Sequence, residues 1–353
     1  MSIPFLKLPS VVQLEVLRQL EFQEVFLLSL CSAKSKRVAQ SLNMKPKKIM
    51  YAFYEKGVQA FAAYDQYVQI IHGVANLKFV PSIPSDQIRP VTLGKNEIIC
   101  KFVKEFSTRN NFAHALHCLE EHSALESLQS HMNYLFRDQP HVQLHISSLC
   151  SMYQSGIIKN VTGTYFDINE LNTEQLENYM TIHPNQDSIQ LTTKLIGPPF
   201  GNDSRLWALK GLAFRNIEDA ILGREIDEKG SEIMRNFGGE YLLMFDIVYD
   251  IKDWTHVIRN WKSKVAYQNL KCLYTAAPVG TAIEHVMSEF NFVKWDGQRR
   301  PRIAKWDPKI IYIKTSLSGG LDCTDWMDIQ QDGGGKWASI EMTDIQICFV
   351  VWD

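Results

Sequence analysis

Apolar positions recur at helical spacing from the amino terminus onward. Pro9 stands where a first helical turn tolerates a missing N–H, and Val12, Val16, Leu17 and Leu20 then share one side. A break near Glu21–Gln23 leads to a second apolar helix with Val25, Leu27, Leu28, Leu30 and Cys31. A third, basic segment carries Lys34, Lys36, Arg37, Val38 and Leu42. Units below about 40 residues rarely bury enough area to stand alone. Residues 1–44 are therefore expected to be a small helical unit that another polypeptide must help to cover.

Residues 45–140 read as a connecting α/β region. Strands are expected around 66–72 and 77–81, and Pro81, Pro84 and Pro90 suggest a loop. Ile98–Phe106 fits strand or helix. His114–Phe136 has helical composition, with Leu116, Leu119, Leu125, Leu128, Met132 and Leu135 on one broad face. From residue 141 to 353 a rhythm sets in. His141–Ile146, Val161–Ile168, Ser188–Thr193, Glu240–Val248 and Asn269–Tyr274 look like strands. Ser147–Gln154, Thr173–Met180, Trp254–Ser263 and Gly280–Glu289 look like the helices between them. Such alternation marks a solenoid with a parallel sheet. The closing runs Ile310–Ile313, Trp326–Gln331, Lys336–Met342 and Ile345–Trp352 are joined by short turns, with Asp332-Gly333-Gly334-Gly335 as a hairpin signal. They predict a small antiparallel cap.

Composition narrows the function. With 45% hydrophobic and 22% charged residues the chain has globular rather than disordered character. A net charge of −2 supplies no global attraction to nucleic acid or anionic membrane. The seven cysteines are scattered and form no CxxC pair, which suits reduced thiols of the cytoplasm or nucleus. Val25–Leu30 is too short to span a bilayer, which takes about 20 residues, and the charges of Glu15, Arg18, Glu21 and Glu24 before it do not suit a secretory signal.

The first forty residues resemble the F-box motif. The resemblance rests on Phe5-Leu6-Lys7-Leu8-Pro9, then Val12, Val16, Leu17 and Leu20, then Phe26-Leu27-Leu28-Ser29-Leu30-Cys31-Ser32, and Lys34-Ser35-Lys36-Arg37. It implies docking on a Skp-type adaptor, and through it a cullin, with Leu8, Pro9, Val12, Val16, Leu20, Leu28 and Cys31 as the contact residues. These apolar side chains could instead form a local core, although three short helices offer little to cover them. The carboxy-terminal third resembles the type-2 F-box-associated domain of nematode F-box families. That likeness rests on Asp253-Trp254 through Trp261, Asn269-Leu270-Lys271-Cys272-Leu273, Arg300-Pro301, Asp328-Ile329, Asp332-Gly333, Ala338-Ser339-Ile340 and Phe349-Val350-Val351-Trp352. It departs from the pattern at Gln330-Gln331 and in the longer turn Gly334-Gly335-Lys336-Trp337. Together the resemblances imply an α/β protein: an N-terminal three-helix F-box, then an irregular leucine-rich-repeat-like α/β array with a small antiparallel β cap. They imply a non-catalytic receptor subunit of an SCF-type ubiquitin ligase that recruits a target protein, acts in cytoplasm or nucleus and takes no cofactor.

Other chemistry is thin. His114, His117, Cys118 and His122 carry metal-ligand types, and a helix would align His114, Cys118 and His122. A zinc site needs about four ligands, no second cluster accompanies this one, and a solvated helix face is the expected reading. The Trp254, Val257, Ile258, Trp261 stripe is expected to pack a helix on a sheet. Two basic groups, Lys34, Lys36, Arg37, Lys45, Lys47, Lys48 and Arg299, Arg300, Arg302, Lys305, leave an adaptor-independent RNA- or protein-binding module as the alternative, the second being flanked by Trp295 and Trp306. Phosphate-binding loops, dinucleotide fingerprints and nucleophile elbows are absent from the sequence.

Overall fold

A computed structural model describes residues 5–64, 71–105, 112–119, 121–136, 141–215, 228–245, 247, 249–277, 283–305, 307 and 320–353. The chain divides into two compact units between Thr162 and Gly163. No helix among the described residues is long and apolar enough to cross a membrane.

The first unit opens with α1 (Ser10–Leu17), α2 (Phe22–Cys31) and α3 (Ala33–Ser41). Each start is fixed locally. Pro9 precedes α1 with φ −54° and ψ 145°, and Gln13 Nε2 donates back to Leu8 O at 2.6 Å. Glu21 and Glu24 form a reciprocal capping box on α2. Ser32 Oγ accepts from Ser35 N at 3.1 Å to cap α3.

Strands β1 (Lys48–Tyr54), β2 (Gly57–Ala63) and β3 (His72–Phe79) form one antiparallel meander. Strands β4 (Arg89–Leu93), β5 (Asn96–Lys104) and β6 (His114–Cys118) form another. Helix α4 (Glu121–Leu135), β7 (His141–Ile146) and α5 (Leu149–Gln154) follow. β6 pairs in parallel with β3 and β7 with β1, so this unit's sheet runs β7-β1-β2-β3-β6-β5-β4. Large side chains meet small ones across it: Ile49, Tyr51 and Phe53 stand opposite Ala62, Ala60 and Val58, all buried. Helix α2 packs on β3 and β4, and α4 on β4 and β5.

In the second unit β8 (Val161–Asn172), β9 (Ser188–Ile196), β10 (Gly211–Arg215), β11 (Tyr241–Phe245) and β12 (Cys272–Ala276) lie in chain order, each parallel to the last. Their crossovers hold α6 (Thr173–Ile182), a 3-10 turn at Arg205–Ala208, α7 (Glu228–Asn236) and α8 (Lys252–Lys262). The strand starts repeat one arrangement. Gly211 N donates to Asp187 O at 3.1 Å, Tyr241 N to Lys210 O at 2.8 Å and Cys272 N to Glu240 O at 3.0 Å. The same residues pair through their side chains, Lys210 with Asp187 at 2.7 Å and Lys271 with Glu240 at 2.9 Å. Gly239 is needed between them, because a Cβ there would lie 1.9 Å from Leu209 O.

After α9 (Ile283–Glu289) come β13 (Val293–Lys294), the pair β14 (Ile303–Ala304) and β15 (Leu321–Asp322), then β16 (Met327–Gln330), β17 (Trp337–Met342) and β18 (Gln346–Val351). β18 joins β12 antiparallel, and β17, β16 and β13 continue antiparallel outward. Gly333 and Gly334 turn the β16–β17 hairpin at φ 71° and 74°. Trp254, Val257, Ile258 and Trp261 of α8 are buried, with Trp261 edge-on to Phe349 at 5.1 Å. The stripe packs α8 on the sheet.

Two expectations change. His114–Phe136 is a strand followed by a helix, because β6 pairs on both sides, with β5 and with β3, and that pairing outweighs helical composition. Pro90 lies inside β4, the last strand of the sheet, where a missing N–H interrupts no ladder. Most of the strand expected at 66–72, and all of that at Ile310–Ile313, lie outside the described residues.

Candidate functional site

The three amino-terminal helices have an inner and an outer side. The inner side is covered by the chain itself, which corrects the expectation that a separate polypeptide must shelter it. Leu17, Phe22, Val25, Phe26 and Ala39 are buried there. Phe22 packs among the rings of Tyr64, His72 and Phe136 at 5.1, 5.4 and 5.9 Å. Gln23 clips α2 to the chain beside β6: its Oε1 accepts from Ala113 N at 2.8 Å and its Nε2 donates to His114 O at 3.1 Å. Lys36 Nζ donates to Gly94 O at 2.7 Å while standing 4.6 Å above the Tyr134 ring, and Gln40 Nε2 donates to Tyr134 O at 3.0 Å.

His131 of α4 completes the attachment. Gly94 N donates to its Nδ1 at 3.1 Å, so the ring proton sits on Nε2, which faces Ser29 Oγ at 2.7 Å. The Ser29 hydroxyl in turn donates to Phe26 O at 2.6 Å. Burial, aided by the nearby Lys36 charge, pushes the imidazole pKa down to about 3. The ring is thus a neutral link between α2, the β4–β5 turn and α4.

On the outer side stand the residues expected to meet an adaptor. Pro9, Val12, Val16 and Cys31 are exposed, while Leu8, Leu20 and Leu28 are half-buried. Val11, absent from that expected set, is more open than Val12 or Val16, at 68%. Helix α1 is consequently apolar on both sides: Leu17 faces the body and Val11, Val12 and Val16 face outward. A helix that is apolar all round is ordinarily covered all round.

The other candidates fall elsewhere. His114, His117 and Cys118 lie on β6 and His122 on α4, so no single helix aligns them. Burial raises the Cys118 thiol to about 12, and among the described residues no three His, Cys, Asp or Glu side chains gather as a metal site. In the first basic group Lys34 and Arg37, like Lys36, spend donors on backbone carbonyls. In the second, Arg300 is buried: Nε donates to Asp328 Oδ1 at 2.8 Å and Nη2 to Cys323 O at 2.7 Å, with the guanidinium 4.6 Å from the Trp295 ring and 5.1 Å from that of Trp352. Ser339 Oγ also donates to Asp328 Oδ1, and Trp352 Nε1 to Ser339 Oγ, both at 2.7 Å. Arg302 is held by Asp322, and Trp306 lies outside the described residues.

No curated protein and no solved structure matches this chain. The family model of the F-box domain matches residues 5–47. The three amino-terminal helices and the segment leading into β1 are thus an F-box domain, a kind that binds Skp-type adaptors within SCF complexes and is typical of non-catalytic adaptor subunits.

Proposed function

We propose that the chain is the substrate-recognition subunit of an SCF-type cullin-RING ubiquitin ligase, without catalytic chemistry of its own. The observation that carries this reading is the uncovered apolar side of α1 within a matched F-box. Leu8, Pro9, Val12, Val16, Leu20, Leu28 and Cys31 meet the Skp adaptor, joined by Val11, and the adaptor connects them to the cullin. The remainder of the chain presents a target protein. Catalysis by the ligase is then a matter of proximity: a tethered target lysine meets the charged ubiquitin carrier as if within one molecule. The mechanism needs no cofactor and suits cytoplasm or nucleus.

We further read the second unit as a leucine-rich-repeat-like array ending in a type-2 F-box-associated domain. Two features support it. Successive parallel strands share one backbone arrangement at their starts, and four residues of the family pattern, Arg300, Asp328, Ser339 and Trp352, meet in one hydrogen-bonded group. That group also weighs against RNA binding, since Arg300 has no free face for a base.

Capture of a purified Skp-type adaptor by the full chain tests the assignment. Leu8→Ala with Pro9→Ala, and separately Val12→Asp with Val16→Asp, should each weaken capture at least about thirtyfold. Val12 and Val16 are exposed, so the second pair should leave thermal unfolding nearly unchanged. Undiminished capture by both pairs would refute the proposal.

A further inference from the structure

Helix α4 buries Leu125, Leu128, Met132 and Leu135, and its opposite stripe, Glu126, Gln129, Ser130 and Asn133, lines a groove. Tyr153 and Gln154 of α5, with Gly156, Ile157, Lys159 and Asn160 beyond it, form the far wall. The groove encloses about 940 Å³ and lies wholly within the first unit. Its walls are fastened together, because the Gln129 carboxamide donates to Lys159 O at 2.8 Å and accepts from Lys159 N at 2.9 Å. This contact has the form of a strand pair and ties the segment after α5 to α4.

The charge inside leans negative. Glu121 and Glu126 line the groove together with His122 and Lys159, and among the described residues neither carboxylate is in a salt bridge. The lysine of the lining, Lys159, turns its Nζ onto Gly156 O at 2.9 Å. Burial raises the Glu121 carboxyl above its ordinary value, and the neighbouring His122 offsets only part of that rise. On the far wall Tyr153 is 61% exposed, although it is large and aromatic. Two carboxylates, an open aromatic ring and side-chain amides are the groups that hold a lysine or arginine, by charge-assisted hydrogen bonds and by stacking of the cation on the ring.

We propose that the groove between α4 and α5 docks a basic segment of a partner polypeptide, with its lysine or arginine held by Glu121 and Glu126 against Tyr153. Identifying that polypeptide with the recruited target rests on the function proposed above; the docking itself does not. The test uses the full chain and a fluorescent peptide of alternating Gly and Arg, followed by polarisation. The peptide should bind, and an acidic peptide of equal length should not. Glu121→Gln with Glu126→Gln should weaken binding about tenfold or more, and Tyr153→Ala several-fold. Leu8→Ala with Pro9→Ala should leave peptide binding unchanged, and the groove variants should leave adaptor capture unchanged. Equal binding by the double Gln variant, or equal affinity for the acidic peptide, overturns the inference. Loss of adaptor capture in no variant overturns the recruitment reading instead and leaves the groove standing.

Discussion

His131 has both nitrogens committed, one to Gly94 N and one to Ser29 Oγ, and it stays neutral because a proton on Nδ1 would repel the Gly94 N–H. The folded state therefore refuses, down to about pH 3, a proton that the unfolded chain takes up below the ordinary histidine value of 6.5. The sign follows. Stability from this residue is intact above pH 6.5 and falls as pH drops below it, by at most about 1.4 kcal/mol per unit, levelling off near pH 3. Urea midpoints taken between pH 7.5 and 5 should slope less in His131→Gln than in the wild type; parallel slopes would refute the assignment. The buried ion pair behaves differently. Arg300→Met or Asp328→Asn each leaves a buried group short of its partner and should destabilise by about 3–5 kcal/mol, read by denaturant unfolding. Changing both should cost less than the two added.

At the level of elements, the side of a helix that matters is set by what lies far along the chain. Gln23 sits in an unremarked break between two apolar runs, yet it bonds to His114 O across 91 residues. Gln23→Ala strands Ala113 N and His114 O, and should cost about 1–3 kcal/mol for each group left unpaired. Amide exchange at Ala113 should quicken in that variant while the second unit is unaffected. The same distance explains what the residue pattern could and could not tell. Short-range signals were legible: the helix start at Pro9, the hairpin at Asp332–Gly335, and strands such as His141–Ile146 and Ser188–Thr193. So was the packing role of the Trp254–Trp261 stripe. His114–Cys118 misread as helix because its neighbours β3 and β5 lie elsewhere in the sequence. Of the candidate site, the apolar residues of the F-box were readable, but not which of them the chain's own sheet would claim. Leu17 and Val16 are neighbours with the same character and opposite fates.

At the scale of the whole molecule, the F-box helices belong to the first compact unit rather than standing apart from it. A fragment of residues 1–44 would expose Leu17, Phe22, Val25 and Phe26 and should be unfolded by far-ultraviolet circular dichroism, whereas residues 1–162 should fold. A cooperatively folded short fragment would contradict the packing described. Rooting these helices in the sheet through Gln23, Ser29, Lys36 and Gln40 removes any swivel between the F-box and the α4–α5 groove. A receptor slung on a pliable leash sweeps its cargo through a wide cloud of positions, and the leash length sets which lysines are sampled. On the recruitment role proposed above, a stiff bracket makes lysine choice at this unit a question of aim: cargo sites within the arc are marked, and others are spared however tightly the cargo is held.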